Sequence, residues 1–460
     1  MSPRVCRYAL PLTLVATLLA GCAEHPETVA PNAPRRAVSV ASTSVALPAL
    51  VRQLALARGV VPLPPATPVR PALVSLGQML AFDRILSGNR DIACSSCHLP
   101  HLATGDGKSL SVGQGGLRLG PSRSHPQGIF IPRNAPPLFN LAAMRHLFWD
   151  GRVQLDPNGH LLTPAGRQLT ADMERTFEFG AVSALGMFPV TNREEMRAQI
   201  GNELAEVDDA DFGTIWTRLM SRLGALPEYR AMFEAAYPGR RFEDMTFAHA
   251  SNAIGGFLVA QLHSANTPWD RFLGGDDEAL SARQLDGAQT FLSLKCSICH
   301  NGSTLSDEQF HNVAVAQIGP GKGNGLLGRD DFGRMNVTGL PDDRYRFRTT
   351  SLRNVELTGP YGHDGAIRSL RDFVEHYSES DKKLLAFDPS QLELPLRGTL
   401  LPNAAAILAQ RDTLLNGVVL TETLVGKLMS YLSALTDPAA RDLGRLTPAR
   451  VPSGLPVDRP

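Results

Sequence analysis

The pentapeptide Cys-x-x-Cys-His occurs twice, as "CSSCH" over Cys94–His98 and as "CSICH" over Cys296–His300. No other feature restricts the fold as much. Two thiols separated by two residues can add to the two vinyl groups of one haem, and the next histidine can take an axial place on its iron. Zinc and dithiol redox sites also use paired cysteines, but neither needs a histidine directly after the second. The pattern predicts two covalently bound haem c groups, on Cys94/Cys97 and Cys296/Cys299, with His98 and His300 as proximal iron ligands. The opposite face of each iron then decides function. A filled face makes an electron carrier, and an open one makes a catalyst.

The surroundings of the two motifs repeat. Before the first, "ALVSLGQMLAFD" puts Leu73, Leu76, Leu80 and Ala81 on one helical stripe. Before the second, Ser281 and Gln284 stand at capping-box spacing, and Leu285, Ala288, Phe291 and Leu292 share a face. Each unit closes with an apolar stretch read as a helix, over 247–264 and 421–435. An opening helix, an attachment loop and a closing helix across it predict a mainly α protein. It has two cytochrome-c-like haem domains, with long irregular loops implied by its 34 prolines. The domains are expected over 71–265 and 278–437, with a boundary in the Pro-, Gly- and acid-rich "NTPWDRFLGGDDEAL" and a tail over 438–460.

The six cysteines sort without remainder. Residues 1–21 have a basic start and a short apolar run, as a signal peptide does. "LAGC" resembles a lipoprotein cleavage box, so Cys22 is expected to carry lipid and Cys6 to be removed. Residues 22–70, rich in Ala, Pro, Val and Ser, read as a tether, part of which lies on the folded body. The expected location is periplasmic, anchored to a membrane by lipid alone. Basic and acidic residues balance at 45 each, which argues against nucleic acid as a partner.

Beyond the haem motifs, "LGQMLAFDRILSGN", "IPRNAPPLFN", "LFWDGR", "FPVTNREEM", "RFRTTSLRNVELTGPYGHDG" and "SLRDFVEHY" occur in this order. With them the chain resembles the bacterial dihaem cytochrome c peroxidases and the related MauG-type dihaem oxidases. The resemblance implies that the first haem meets hydrogen peroxide and the second stores and relays electrons. A small cytochrome c or cupredoxin would supply those electrons. It implies Glu195 as acid/base over the first haem, a residue that otherwise reads as a solvated charge at a helix start. It places Trp149 and Arg348 between the haems. It implies a calcium site at Asn134, Thr358 and Pro360, and a homodimer. Two alternatives stand beside peroxide reduction: a MauG-like oxidation of a partner protein, and a non-enzymatic dihaem electron carrier.

The residue over the second iron bears on that choice. Leu370, Phe373, Val374 and Tyr377 fall on one helical face, so Tyr377 points inward. Peroxidases of the resembled family usually have methionine here and the MauG type has tyrosine, which implies Tyr377 as the distal ligand. A hard phenolate favours oxidised iron. Two positions depart from the family pattern. Sixteen residues after His98, where many relatives carry a capping histidine, stands Gln114, with His125 in a nearby loop as the alternative. Ten residues before Glu195, where a glutamine is frequent in the MauG type, stands Leu185. An empty or weakly held sixth position on the first iron is expected.

Overall fold

A computed structural model describes residues 46–459. The expected signal peptide, Cys6 and the lipid-bearing Cys22 lie outside these residues. The fold is mostly helical, with 44% helix and 5% strand. It has two lobes, each with its own apolar core.

In the first lobe, helix Pro71–Phe82 crosses helix Phe247–Gln261, the closing helix. Leu73, Leu76 and Leu80 are fully buried, as the stripe requires. Helix Ala282–Ser293 crosses Glu422–Ser433 in the same manner in the second lobe. Its start is the expected reciprocal cap: Gln284 N donates to Ser281 Oγ at 3.3 Å, and Ser281 N donates to Gln284 Oε1 at 3.0 Å.

One device tightens both crossings. A Cβ on Gly77 would lie 1.9 Å from the Ala253 carbonyl oxygen, and one on Gly287 would lie 2.2 Å from that of Lys427. Only a bare backbone fits there. Gly77→Ala is expected to destabilise the protein by about 1–3 kcal/mol through overpacking. The measurement is the urea midpoint, and an unchanged midpoint would show that the helices slide apart at no cost.

The two ends of the described chain change sides. Helix Leu47–Ala57, in the segment read as a tether, buries Val51 and Ala55 in the second lobe's core. Arg52 Nε and Arg58 Nε tie it to the carbonyls of Phe272 at 2.8 Å and Leu292 at 3.1 Å. Residues 438–459 run back over the first lobe, whose core includes Ala440, Leu443, Leu446 and Val451. There Asp458 accepts hydrogen bonds from Ser96, inside the first attachment loop, and from Arg84. Ser453 Oγ donates to Asp83 at 2.6 Å.

A buried ionic knot joins the lobes. Arg133 of the first donates to Asp150 at 2.6 Å, and to both oxygens of Asp331 in the second at 2.6 and 2.8 Å. The few strands are short. The antiparallel pair Phe310–His311 and Phe347–Arg348, in register Phe310 opposite Arg348, fixes the segment that carries Arg348.

Candidate functional site

Each attachment loop opens onto a cavity. Cys94, Cys97 and His98 line one of about 1550 Å³, and Cys296, Cys299 and His300 line one of about 2110 Å³, mouths included. His98 Nδ1 bonds the Thr104 carbonyl at 2.8 Å, and His300 Nδ1 bonds that of Leu305 at 3.1 Å. A backbone carbonyl on one ring nitrogen fixes the tautomer that offers the other, Nε2, to a metal. Burial also lowers the pKa of both imidazoles, keeping them neutral as iron ligands must be. Paired thiols, a neutral imidazole and a largely apolar cavity together fit haem c in both lobes.

In the first cavity Glu195 is the one carboxylate among the lining residues. It sits in the π-turn Arg193–Arg197, not in a solvated α-helix start. Asn192 caps the turn by accepting from the backbone of Glu194 at 2.9 Å and of Glu195 at 3.0 Å. Two glycine segments clamp it. Gly88 N donates to the Met196 carbonyl at 2.7 Å and Gln114 N to that of Glu195 at 3.0 Å. A Cβ on Gly88 or Gly113 would lie 1.8 or 1.9 Å from a carbonyl oxygen of the turn. Single π-turns are frequent where a side chain must be re-aimed at a site. Arg152 Nη2 stands 3.7 Å from Glu195 Oε1. Burial raises the Glu195 carboxyl, with Arg152 and Lys322 acting against it.

Gln114 and His125 do not line this cavity. The Gln114 amide donates to Asp91 at 3.2 Å, and His125 accepts from Gln127 N at 3.1 Å. His98 is the sole histidine among the lining residues, and Leu185 lines the cavity with Glu195.

Trp149, Arg348, Asn134 and Pro137 line both cavities, and so form the wall between them. Trp149 Nε1 donates to the Asn134 carbonyl at 2.9 Å, and Arg348 N donates to the Trp149 carbonyl at 2.9 Å. Buried Arg348 adds a bond from Nε to the Phe148 carbonyl at 3.1 Å. Phe148 holds φ of 63°, a strained value for a bulky side chain, at the turn that presents Trp149.

In the second cavity, Leu370, Phe373, Val374 and Tyr377 all line the wall, so the helical face read from spacing is the one presented. Helix Leu370–His376 is capped by Ser369, which accepts from Asp372 N at 3.0 Å. Tyr377 stands edge-on to Phe373 with centroids 5.4 Å apart, and burial pushes its phenol up. Its neighbour His376 instead spends Nε2 on the Val313 carbonyl at 2.7 Å.

Thr358 and Pro360 line the same cavity as Asn134. Asn134 Nδ2 donates to the carbonyls of Lys108 at 2.8 Å and Ser109 at 3.3 Å, which leaves its Oδ1 for another partner. One amide oxygen with backbone carbonyls is a donor set suited to a hard cation.

Three charged residues escaped sequence reading. Arg152 lay within "LFWDGR" but had no role. Lys322 comes from a glycine-rich turn with no periodic signal. His311, at the second cavity, is held between Asp412 at 2.6 Å and Asp307 at 3.1 Å. Burial opposes its charge, yet the hydrogen bonds to Asp307 and Asp412 act to raise its pKa.

Comparisons with known proteins identify relatives of this chain. Residues 71–278 match the family described as di-haem cytochrome c peroxidase. Methylamine utilization protein MauG of Methylorubrum extorquens is 29% identical over 340 residues, covering 73% of this chain and 78% of that one. Cytochrome c551 peroxidase of Pseudomonas aeruginosa is 30% identical over 299 residues, covering 65% of this chain and 69% of that one. Two solved structures share the fold. A MauG-like protein associated with microbial copper homeostasis has TM-score 0.57 and 24% identity, over 84% of this chain and 96% of that one. The diheme peroxidase BthA from Burkholderia thailandensis has TM-score 0.56 and 21% identity, over 85% and 91%.

Proposed function

The chain belongs to the di-haem cytochrome c peroxidase family, and on that premise we propose that it reduces hydrogen peroxide to two waters with electrons from a small cytochrome c or cupredoxin. The observation that carries this reading is one cavity holding both the neutral His98 and the clamped carboxylate of Glu195. Haem c held there by Cys94, Cys97 and His98 would supply an iron able to bind peroxide and take up its oxidising equivalents. Glu195 takes the proton from one peroxide oxygen and returns it to the oxygen that leaves as water. Two further protons from solvent and two electrons from the donor complete the second water. Arg152 steadies the carboxylate while it is charged. Trp149 and Arg348, shared by the two cavities, give electrons a packed path from the second haem. The Arg348 guanidinium also suits haem propionates.

Tyr377 on the second cavity favours a second reading, in which the same oxidising power is spent on residues of a partner protein, as in a MauG-like oxidase. Its phenol suits storage of oxidising equivalents better than a thioether would.

A calcium ion at Asn134, Thr358 and Pro360 fits the junction between the lobes. Export to the periplasm, lipid on Cys22 and a homodimer belong to the same reading. Among the described residues no helix is long and apolar enough to cross a membrane.

The test is electron paramagnetic resonance of the purified dihaem protein, followed by peroxide consumption with reduced cytochrome c. A high-spin signal with cytochrome turnover is expected. Fast peroxide consumption without turnover would favour protein oxidation, and a wholly low-spin, inert protein would leave an electron carrier. The rate should also fall on the acid side as Glu195 is protonated. Because burial raises that carboxyl, the fall should begin above the ordinary glutamate pKa of about 4.3.

A further inference from the structure

The first cavity is built mainly from first-lobe side chains, but two cations enter it from the second lobe, Arg348 and Lys322. Lys322 is presented by a braced turn. Lys322 N donates to the Asp330 carbonyl at 3.1 Å, and Asn324 and Asp330 exchange backbone bonds of 3.2 and 2.9 Å. Tyr345 Oη donates to the Asp330 carboxylate at 2.7 Å, and Arg329 Nη2 donates to the Gly319 carbonyl at 3.0 Å. Gly321, at φ of 66°, passes so close to Arg329 that a Cβ would lie 1.5 Å from its carbonyl oxygen. The turn therefore has one shape.

The cations lining the cavity have different commitments. Arg133 is taken by Asp150 and Asp331. Arg348 gives Nε and Nη1 to the Phe148 and Thr349 carbonyls. Arg152 divides itself between Asp150 at 3.4 Å and Glu195 at 3.7 Å, with its guanidinium over the Phe148 ring. Lys322, with no carboxylate within ion-pair distance among the described residues, is the remaining cation that lines the cavity with Glu195.

We propose that Lys322 is a positioning residue for Glu195: its ammonium, supplied by the second lobe, keeps the carboxylate charged and ready to accept the peroxide proton. The inference rests on Glu195 being the acid/base. Opposing charges that line one cavity favour each other's ionised form. The groups that bear on Glu195 are Arg152, Lys322 and Arg133, which favour its charge, and adjacent Glu194, which opposes it. Lys322 is itself lowered by burial, then by Arg152 and Arg133, while Glu195 and Asp331 act to keep it charged. The peroxide site is thus complete only with the second lobe's turn in place.

The test compares holoenzyme with its Lys322→Met, Lys322→Arg and Glu195→Gln variants. The second-order rate with peroxide is measured across pH, and the protonated carboxyl is followed by its infrared C=O band, identified by its loss in Glu195→Gln. In Lys322→Met the acid limb and the infrared midpoint should both move up by about one pH unit, about tenfold in rate below the limb. Lys322→Arg should restore both, and unchanged haem spectra at neutral pH should show that the cofactor is seated. A Lys322→Met limb and infrared midpoint superposed on the parent's would overturn the inference. If the limb survives in Glu195→Gln, the acid/base reading itself fails. If it vanishes there but does not move in Lys322→Met, only the role of Lys322 fails.

Discussion

Glu195→Gln should slow the reaction with hydrogen peroxide by about 10²–10⁴-fold, the usual contribution of a positioned acid/base. Glutamine keeps the shape and the hydrogen-bonding oxygen of glutamate but cannot take and return a proton at pH 7. The turn should survive, because what holds it is backbone: the Asn192 cap and the clamps of Gly88 and Gln114. The second-order rate of the absorbance change on mixing with peroxide measures this. Glu194→Gln is the control, since Glu194 does not line the cavity. An unchanged rate in Glu195→Gln, with both haems present, would remove the assignment.

The second large effect is on stability. Arg133→Met leaves Asp331 buried without its cation and Asp150 with only Arg152 at 3.4 Å, and should cost about 3–5 kcal/mol. Burial alone would push the Asp331 carboxyl up, but Arg133 outweighs it and holds the carboxyl below its ordinary value. The same balance holds at Asp150, with help from Arg152. A carboxylate depressed on folding adds stability above its unfolded pKa of about 3.9, and that stability is lost as pH falls through the folded value. In the parent the contribution of these two carboxylates should therefore persist down to about pH 4. The variant should be weakest at neutral pH, and its deficit should narrow towards pH 4 as the uncompensated carboxyls take up protons. A deficit independent of pH would mean that the loss is one of packing rather than charge.

Some of this was legible in advance because it depends on neighbours in sequence. Gln284 answers Ser281 three residues away, and Leu370 to Tyr377 share a face by helical arithmetic alone. Glu195 is the opposite case. From its own neighbours it reads as an exposed charge. The clamps that turn it into the cavity come from Gly88 and Gly113, far away along the chain, so only a resemblance could point to it. Gln114 shows the same limit. Its side chain is drawn to Asp91, which no spacing from His98 could reveal.

Sequence alone determined the two Cys-x-x-Cys-His motifs that line the cavities, the opening and closing helices and the inward face of Tyr377. Each follows from covalent chemistry or from a period of a few residues. Tertiary structure decided the wall of Trp149 and Arg348, the crossing of the chain ends, the knot at Arg133 and the reach of Lys322 into the first cavity. These join residues roughly 130 to 370 positions apart. They exist because the two lobes must bury charge and apolar surface against each other, a demand that no local pattern records.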